Sequence, residues 1–161
     1  MQHVDHPFPP VVDQGCRILI LGSFPSVKSR EEGFFYGHPQ NRFWRMLSGV
    51  FHEDVPITIT DKTEFLLRHQ IALWDVIASC EILGSSDASV RNAIPVNISR
   101  ITDASEIEQV ICNGKLAYRL YQRHLEAKVG IKALALPSTS PANAACSLEQ
   151  LIALWSEALL Q

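Results

Sequence analysis

No stretch of the 161-residue chain approaches 18 consecutive apolar residues, so no membrane-spanning helix is expected. The first 14 residues carry His, Asp and Pro where a secretory signal would have a basic start and an apolar core. A cytoplasmic location is the expectation. Cysteine is sparse: Cys16, Cys80, Cys112 and Cys146 lie far apart, with no CxxC among them. Zinc-ribbon and iron-sulfur spacings are thus missing, and the thiols read as reduced and buried. The six histidines form neither HxxxH nor HExxH, so neither a metal site nor a metal cofactor is expected. Phosphate loops of the forms GxxxxGK[ST] and GxGxxG are also absent, which leaves no cofactor implied. Charged residues are only 19% of the chain, and 14 basic against 17 acidic side chains give a net charge of -3. That balance excludes a polybasic coat that holds nucleic acid by bulk charge.

What is present is ordinary globular composition, with 47% hydrophobic residues and a mean hydropathy of +0.06. The length suits one domain spanning 1–161, with residues 1–15, rich in proline, as an extended lead-in. Short apolar runs at Cys16–Gly22, Ile71–Ile77, Gln109–Cys112 and Ile131–Leu136 read as strands buried on both faces. Helical periodicity fills the gaps between them. Pro39 stands at a first-turn position ahead of Phe43, Leu47, Val50 and Phe51, and Asp61 with Glu64 has capping-box spacing. Leu116 and Leu120 lie on one helical stripe, while Ser147 and Gln150 open a last helix through Leu151, Trp155 and Leu159. Alternating strands and helices predict an α/β fold: three layers, α/β/α, around a four-stranded, mostly parallel sheet.

In such folds ligands bind beyond the carboxyl ends of the strands. The loops after Gly22, Ile77, Cys112 and Leu136 are therefore the candidates. The first runs from Ser23 through Phe24, Pro25, Ser26, Phe34, Phe35, Tyr36 and His38 to Pro39, and is long for a small domain. Its aromatics suit either a sheet-edge cover or a stacking platform for a planar ligand. The loop after Cys112 opens with Asn113-Gly114, and the last is the hydroxyl-rich Pro137-Ser138-Thr139-Ser140-Pro141-Ala142-Asn143. Asp75, inside an apolar run, needs a partner and suits a structural hydrogen bond or a contact to water or base. The segment 80–92 has the composition of a flexible loop.

Gly22 to Trp44, with the block His38-Pro39-Gln40-Asn41-Arg42-Phe43-Trp44, resembles the first motif of the uracil-DNA glycosylase superfamily. Asn113 to Tyr118, Leu136 to Pro141 and Ser147 to Leu151 extend the resemblance over nearly the whole chain. Mismatch-specific uracil glycosylases carry a catalytic Asn as the third residue of the glycine-proline loop, where this chain has Phe24. Gly-Ser-Phe-Pro-Ser with the later block instead resembles the hypoxanthine (deoxyinosine) DNA glycosylase branch, in which the essential Asn comes from that block.

The resemblance implies a monofunctional DNA glycosylase of base excision repair, acting on damaged DNA without metal or iron-sulfur cluster, and a monomer. It puts the catalytic role on Asn41, whose carbonyl oxygen would orient a water towards C1′. Tyr36, with Phe35 in reserve, would stack on the flipped base. Main-chain N–H groups around Phe24 and the side chain of Asn113 would read it. Ser23, Ser26, His38, Arg42, Ser138, Thr139, Ser140 and Asn143 are the expected DNA contacts. Two other readings compete: a uracil or mismatch glycosylase of the same fold, and a non-catalytic α/β module that binds a nucleotide or a protein. Lys28, Arg30, His38, Arg42 and Arg45 gather near the first loop, and Lys115, Arg119, Arg123, Lys128 and Lys132 form a second run, so a small, locally basic footprint is expected.

Overall fold

A computed structural model describes residues 1–161. Four of its strands form one parallel sheet: β2 (Ile18–Gly22), β3 (Ile71–Asp75), β6 (Gln109–Asn113) and β7 (Ala133–Leu136), in the order β3-β2-β6-β7. Strands that lie inside such a sheet bury both faces, and Leu19, Ile20, Leu21, Val110 and Ile111 are all sequestered. The edge differs. In β7, Leu134 and Ala135 are exposed, so the apolar run at 131–136 is shorter and less buried than a fully covered strand.

A second sheet, which the apolar runs did not announce, is antiparallel and ordered β1-β4-β5. It joins β1 (Gln2–Asp5), β4 (Ile77–Ile82) and β5 (Arg91–Pro95). The N-terminal lead-in is therefore partly a strand, pairing Gln2 with Ile82 and Asp5 with Ser79. The run at 71–77 is divided as well. It leaves the parallel sheet after Asp75 and enters the antiparallel one at Ile77.

The helices are α1 (Val27–Glu32), α2 (Phe43–Phe51), α3 (Ile59–Arg68), α4 (Ser99–Thr102), α5 (Lys115–His124), α6 (Glu126–Val129) and α7 (Leu148–Leu159). A 3-10 turn spans Asp87–Ser89. Three starts refine the expectations. Helix α1 interrupts the long first loop, capped by Ser26 at its start and by Gly33 in the left-handed region at its end. Helix α2 begins at Phe43, four residues after Pro39, so Asn41 precedes the helix. Helix α3 is capped by Thr58, which places Asp61 in its first turn. The capping box at Ser147 and Gln150 is formed as the spacing implied.

Register brings the strand ends level. Gly22 pairs with Asp75, Leu21 with Cys112, and Asn113 with Leu136. The three cysteines of the core, Cys16, Cys80 and Cys112, are buried, Cys146 is half-buried, and all four are free. Burial pushes the Cys112 thiol up to about 12, which leaves it protonated and unreactive.

Candidate functional site

The levelled strand ends open into a cavity of about 800 Å³. Its wall draws on the first loop, on Asp75, on Ser85 to Ala88, on Asn113 to Leu116 and on Ser138 to Asn143. All of the predicted site residues except Arg42 line it.

Asn41 is held firmly. Its Oδ1 accepts from the Phe43 N–H at 2.9 Å and from the Thr139 hydroxyl at 2.9 Å. The first of these donors is a backbone amide, which settles the orientation of the Asn41 amide group. Both lone pairs of the carbonyl oxygen are then occupied, and the end left without a protein partner is the NH2. Orientation of a water by that carbonyl, as the sequence suggested, is at odds with this arrangement.

Thr139 is the hub. Fully buried, it accepts from Asn113 Nδ2 at 3.0 Å, donates to Asn41, and its backbone N–H donates to Asn113 Oδ1 at 3.0 Å. The sequence placed Thr139 on a phosphate-gripping surface. Burial rules that out and makes it instead the link that fixes two asparagines from different strand-end loops. Gly114, at a φ of +96°, permits this approach: a Cβ there would stand 3.2 Å from Cβ of Ser138.

Arg42 is not a free cation. Its Nη atoms donate to the carbonyls of Cys146, Ser140 and Asn143, with the latter two at 3.0 Å, so the guanidinium braces the last loop from within. That loop is stiffened further by Ser140 N–H to Ser138 Oγ, Ala142 N–H to Ser140 Oγ, and Asn143 Nδ2 to Ser138 O. Ser26 is used as the α1 cap, and His38 Nδ1 accepts from the Gln40 N–H. Ser23 donates to Asp87 Oδ1 at 2.9 Å.

Among the aromatics, Tyr36 stacks on Phe43 with ring centroids 4.1 Å apart and carries a positive φ of 54°. The residue is half-buried, and its hydroxyl is buried and without a partner. Burial first, and then repulsion from Asp75, pushes this phenol far up, so it stays protonated. Phe35 is almost wholly buried, edge-on to Phe8 and Phe34, and is mainly a core residue. Phe24 is nine-tenths buried, with the Arg30 guanidinium 5.7 Å from its centroid.

Two participants were only half legible. The segment 80–92 supplies Ser85, Ser86 and Asp87 to the cavity wall, and crowding by that wall raises the Asp87 carboxyl, while the Ser23 hydroxyl pulls it back. His6, in the lead-in, reaches across to Asp75 Oδ2 at 2.8 Å. Nothing in the local sequence pointed to that contact, since it spans 69 positions. The separation of Asp75 from any charge in its own run was the one signal that a partner existed.

These features define an α/β protein of the open-sheet type, with a polar, asparagine-bearing cavity at the strand ends that is large enough for a nucleobase and its sugar. A family model described as "Uracil DNA glycosylase superfamily" matches residues 9–158, and the chain belongs to that superfamily. A hypoxanthine DNA glycosylase of Methanosarcina barkeri is 37% identical over 153 residues, covering 94% of this chain and 95% of the relative. One of the same description from Methanosarcina acetivorans is 34% identical over 138 residues, covering 84% and 86%. A solution NMR structure from Methanosarcina acetivorans, provisionally described as a uracil DNA glycosylase, superposes with a TM-score of 0.80 at 28% identity, covering 99% of this chain and all of that one. No helix is long and apolar enough to cross a membrane.

Proposed function

We propose that the chain is a DNA glycosylase of base excision repair that hydrolyses the N-glycosidic bond of deoxyinosine and releases hypoxanthine. The relatives named for that activity span most of its length, and the observation that carries the reading is Asn41. With Phe24 in the glycine-proline loop, Asn41 is, of the three asparagines that line the cavity, the one whose oxygen is pinned by Phe43 and Thr139 while its NH2 has no protein partner. In the reaction the bond between N9 and C1′ breaks and its electron pair leaves on the purine. A water oxygen then bonds C1′ and gives up a proton, and the purine takes one up. A fixed amide donor favours the charge that grows on the departing base, and needs no reorientation at that moment.

The substrate nucleotide is extruded from the duplex, which costs least where pairing is already poor. Its base enters against the ring of Tyr36, which lines the cavity and is backed by Phe43. The Asn113 side chain and the main chain near Phe24 lie within the same cavity and serve as base contacts. Ser23, Ser138, Ser140, Asn143 and His38 stand along the wall as donors and acceptors for the backbone of the extruded strand. The enzyme acts as a monomer in this reading, in the cytoplasm, on DNA reached without a cofactor.

The test is a panel of oligonucleotides carrying hypoxanthine, xanthine or uracil, incubated in the presence of a chelator. Hypoxanthine should be released as the free base, and Asn41→Ala should reduce that release by about a hundredfold or more, the scale seen when one preorganised donor is removed. Undiminished release by Asn41→Ala would remove Asn41 from the chemistry. Uracil as the preferred substrate is the second reading, favoured by the likeness to the NMR structure; faster release of uracil than of hypoxanthine would establish it.

A further inference from the structure

Asp75 is the one acidic side chain that the fold buries, at 3% exposure, and it lies in the cavity floor. A carboxylate taken out of water needs partners for both oxygens. His6 Nε2 serves Oδ2 at 2.8 Å, and no protein group serves Oδ1. That free oxygen leans over Gly22, the strand neighbour of Asp75, at 2.4 Å from where a Cβ would stand. The buried Tyr36 hydroxyl, also without a partner, is 2.7 Å from the same point. The floor of the cavity thus holds unclaimed polar atoms side by side.

His6 is itself tightly placed. Its backbone N–H donates to Ala78 O at 2.7 Å, and its ring meets Phe8 at 4.6 Å and Phe24 at 5.9 Å, both edge-on. The Phe8 N–H donates to Nδ1 at 3.5 Å, so the ring proton sits on Nε2 and points to Asp75. The arm therefore presents one oxygen of Asp75 to the cavity and withholds the other.

We propose that the N-terminal arm is part of the base-reading site: His6 fixes Asp75 so that its free oxygen accepts the N1–H of a deaminated purine and opposes the N1 lone pair of adenine. This rests on the glycosylase reading above. Deamination of adenine turns N1 from an acceptor into a donor, and a carboxylate oxygen only accepts. In a buried floor the mismatched case leaves two lone pairs facing each other with no water between them, a far stronger penalty than the loss of one contact. Asp75 then touches the base, and His6 acts as a positioning residue behind it.

The experiment compares single-turnover release of hypoxanthine with release of unsubstituted purine, which carries a bare N1 lone pair, from otherwise identical oligonucleotides. The Asp75→Asn amide, its oxygen taken by His6, would turn an N–H towards N1. The hypoxanthine-to-purine ratio should fall by ten- to a hundredfold in Asp75→Asn. It should also fall in His6→Ala and recover in His6→Gln, whose amide can donate to Oδ2. A merely structural role would lower both rates together and leave the ratio of every variant at the wild-type value, which would overturn the inference while the enzyme still released hypoxanthine. Failure of the wild-type protein to release either base would overturn the glycosylase reading and this one with it. Should Asp75→Asn fail to fold, the two His6 variants decide the matter alone.

Discussion

Gly22 has no room for a side chain, because a Cβ would meet Asp75 Oδ1 at 2.4 Å and Tyr36 Oη at 2.7 Å. Its role here is space and not backbone freedom. Gly22→Ala is expected to push the cavity floor apart and to reduce base release sharply while the chain still melts cooperatively, as base-release kinetics and calorimetry together would record. Asp87 offers a test in pH. Its carboxyl is raised above the usual value, so the folded state holds that proton more tightly than the unfolded one. Stability from this group is present at low pH and is lost as pH rises through the raised value. Asp87→Asn should accordingly melt slightly higher than the parent at neutral pH, with the gap closing below the ordinary carboxylate range. The side chain stands at an exposed mouth, which keeps the effect small.

At the level of elements, the capping box at Ser147 was readable because two side chains three residues apart must both face the helix start, and they do. Ser147→Ala should cost about 1 kcal/mol in denaturant unfolding. The parallel strands were legible from their continuous apolar character. The antiparallel sheet was not, for three separate reasons. β1 is short and mostly exposed; β5 alternates between exposed and half-buried positions; and β4 continues the apolar run of β3 without a break. Only the tertiary bend after Asp75 divides that run. The site followed the same pattern. Motif residues such as Asn41 and Asn113 were visible because they fall in contiguous blocks that resemble a known family, not because their local chemistry marks them. The roles of Thr139 and Arg42 were not, since each depends on partners about 100 positions away.

For the whole molecule, the net charge of -3 leaves DNA attraction to local groups. The structure uses up several of those in the first basic cluster: Arg42 on loop carbonyls, Arg30 on Gly84 O and Lys28 beside Glu32. Lys115 is exposed, lines the cavity and forms no ion pair, so it is the cation best placed to meet a phosphate. Lys115→Ala should weaken binding to a deoxyinosine duplex and lower the slope of log affinity against log salt by about one, measured by fluorescence anisotropy. The pairing of residues 2–5 with 79–82 has a consequence in time. As the chain emerges from the ribosome, the first strand has no mate until the eighty-second residue is made, and His6 has no acid to hold until Asp75 is in place. Residues 2–5 must stay unpaired until the later strand is made, a task for which the neighbouring prolines and exposed polar side chains are suited. The strand-end cavity is thus closed on one side by residues made earlier, which dock only after later ones are in place.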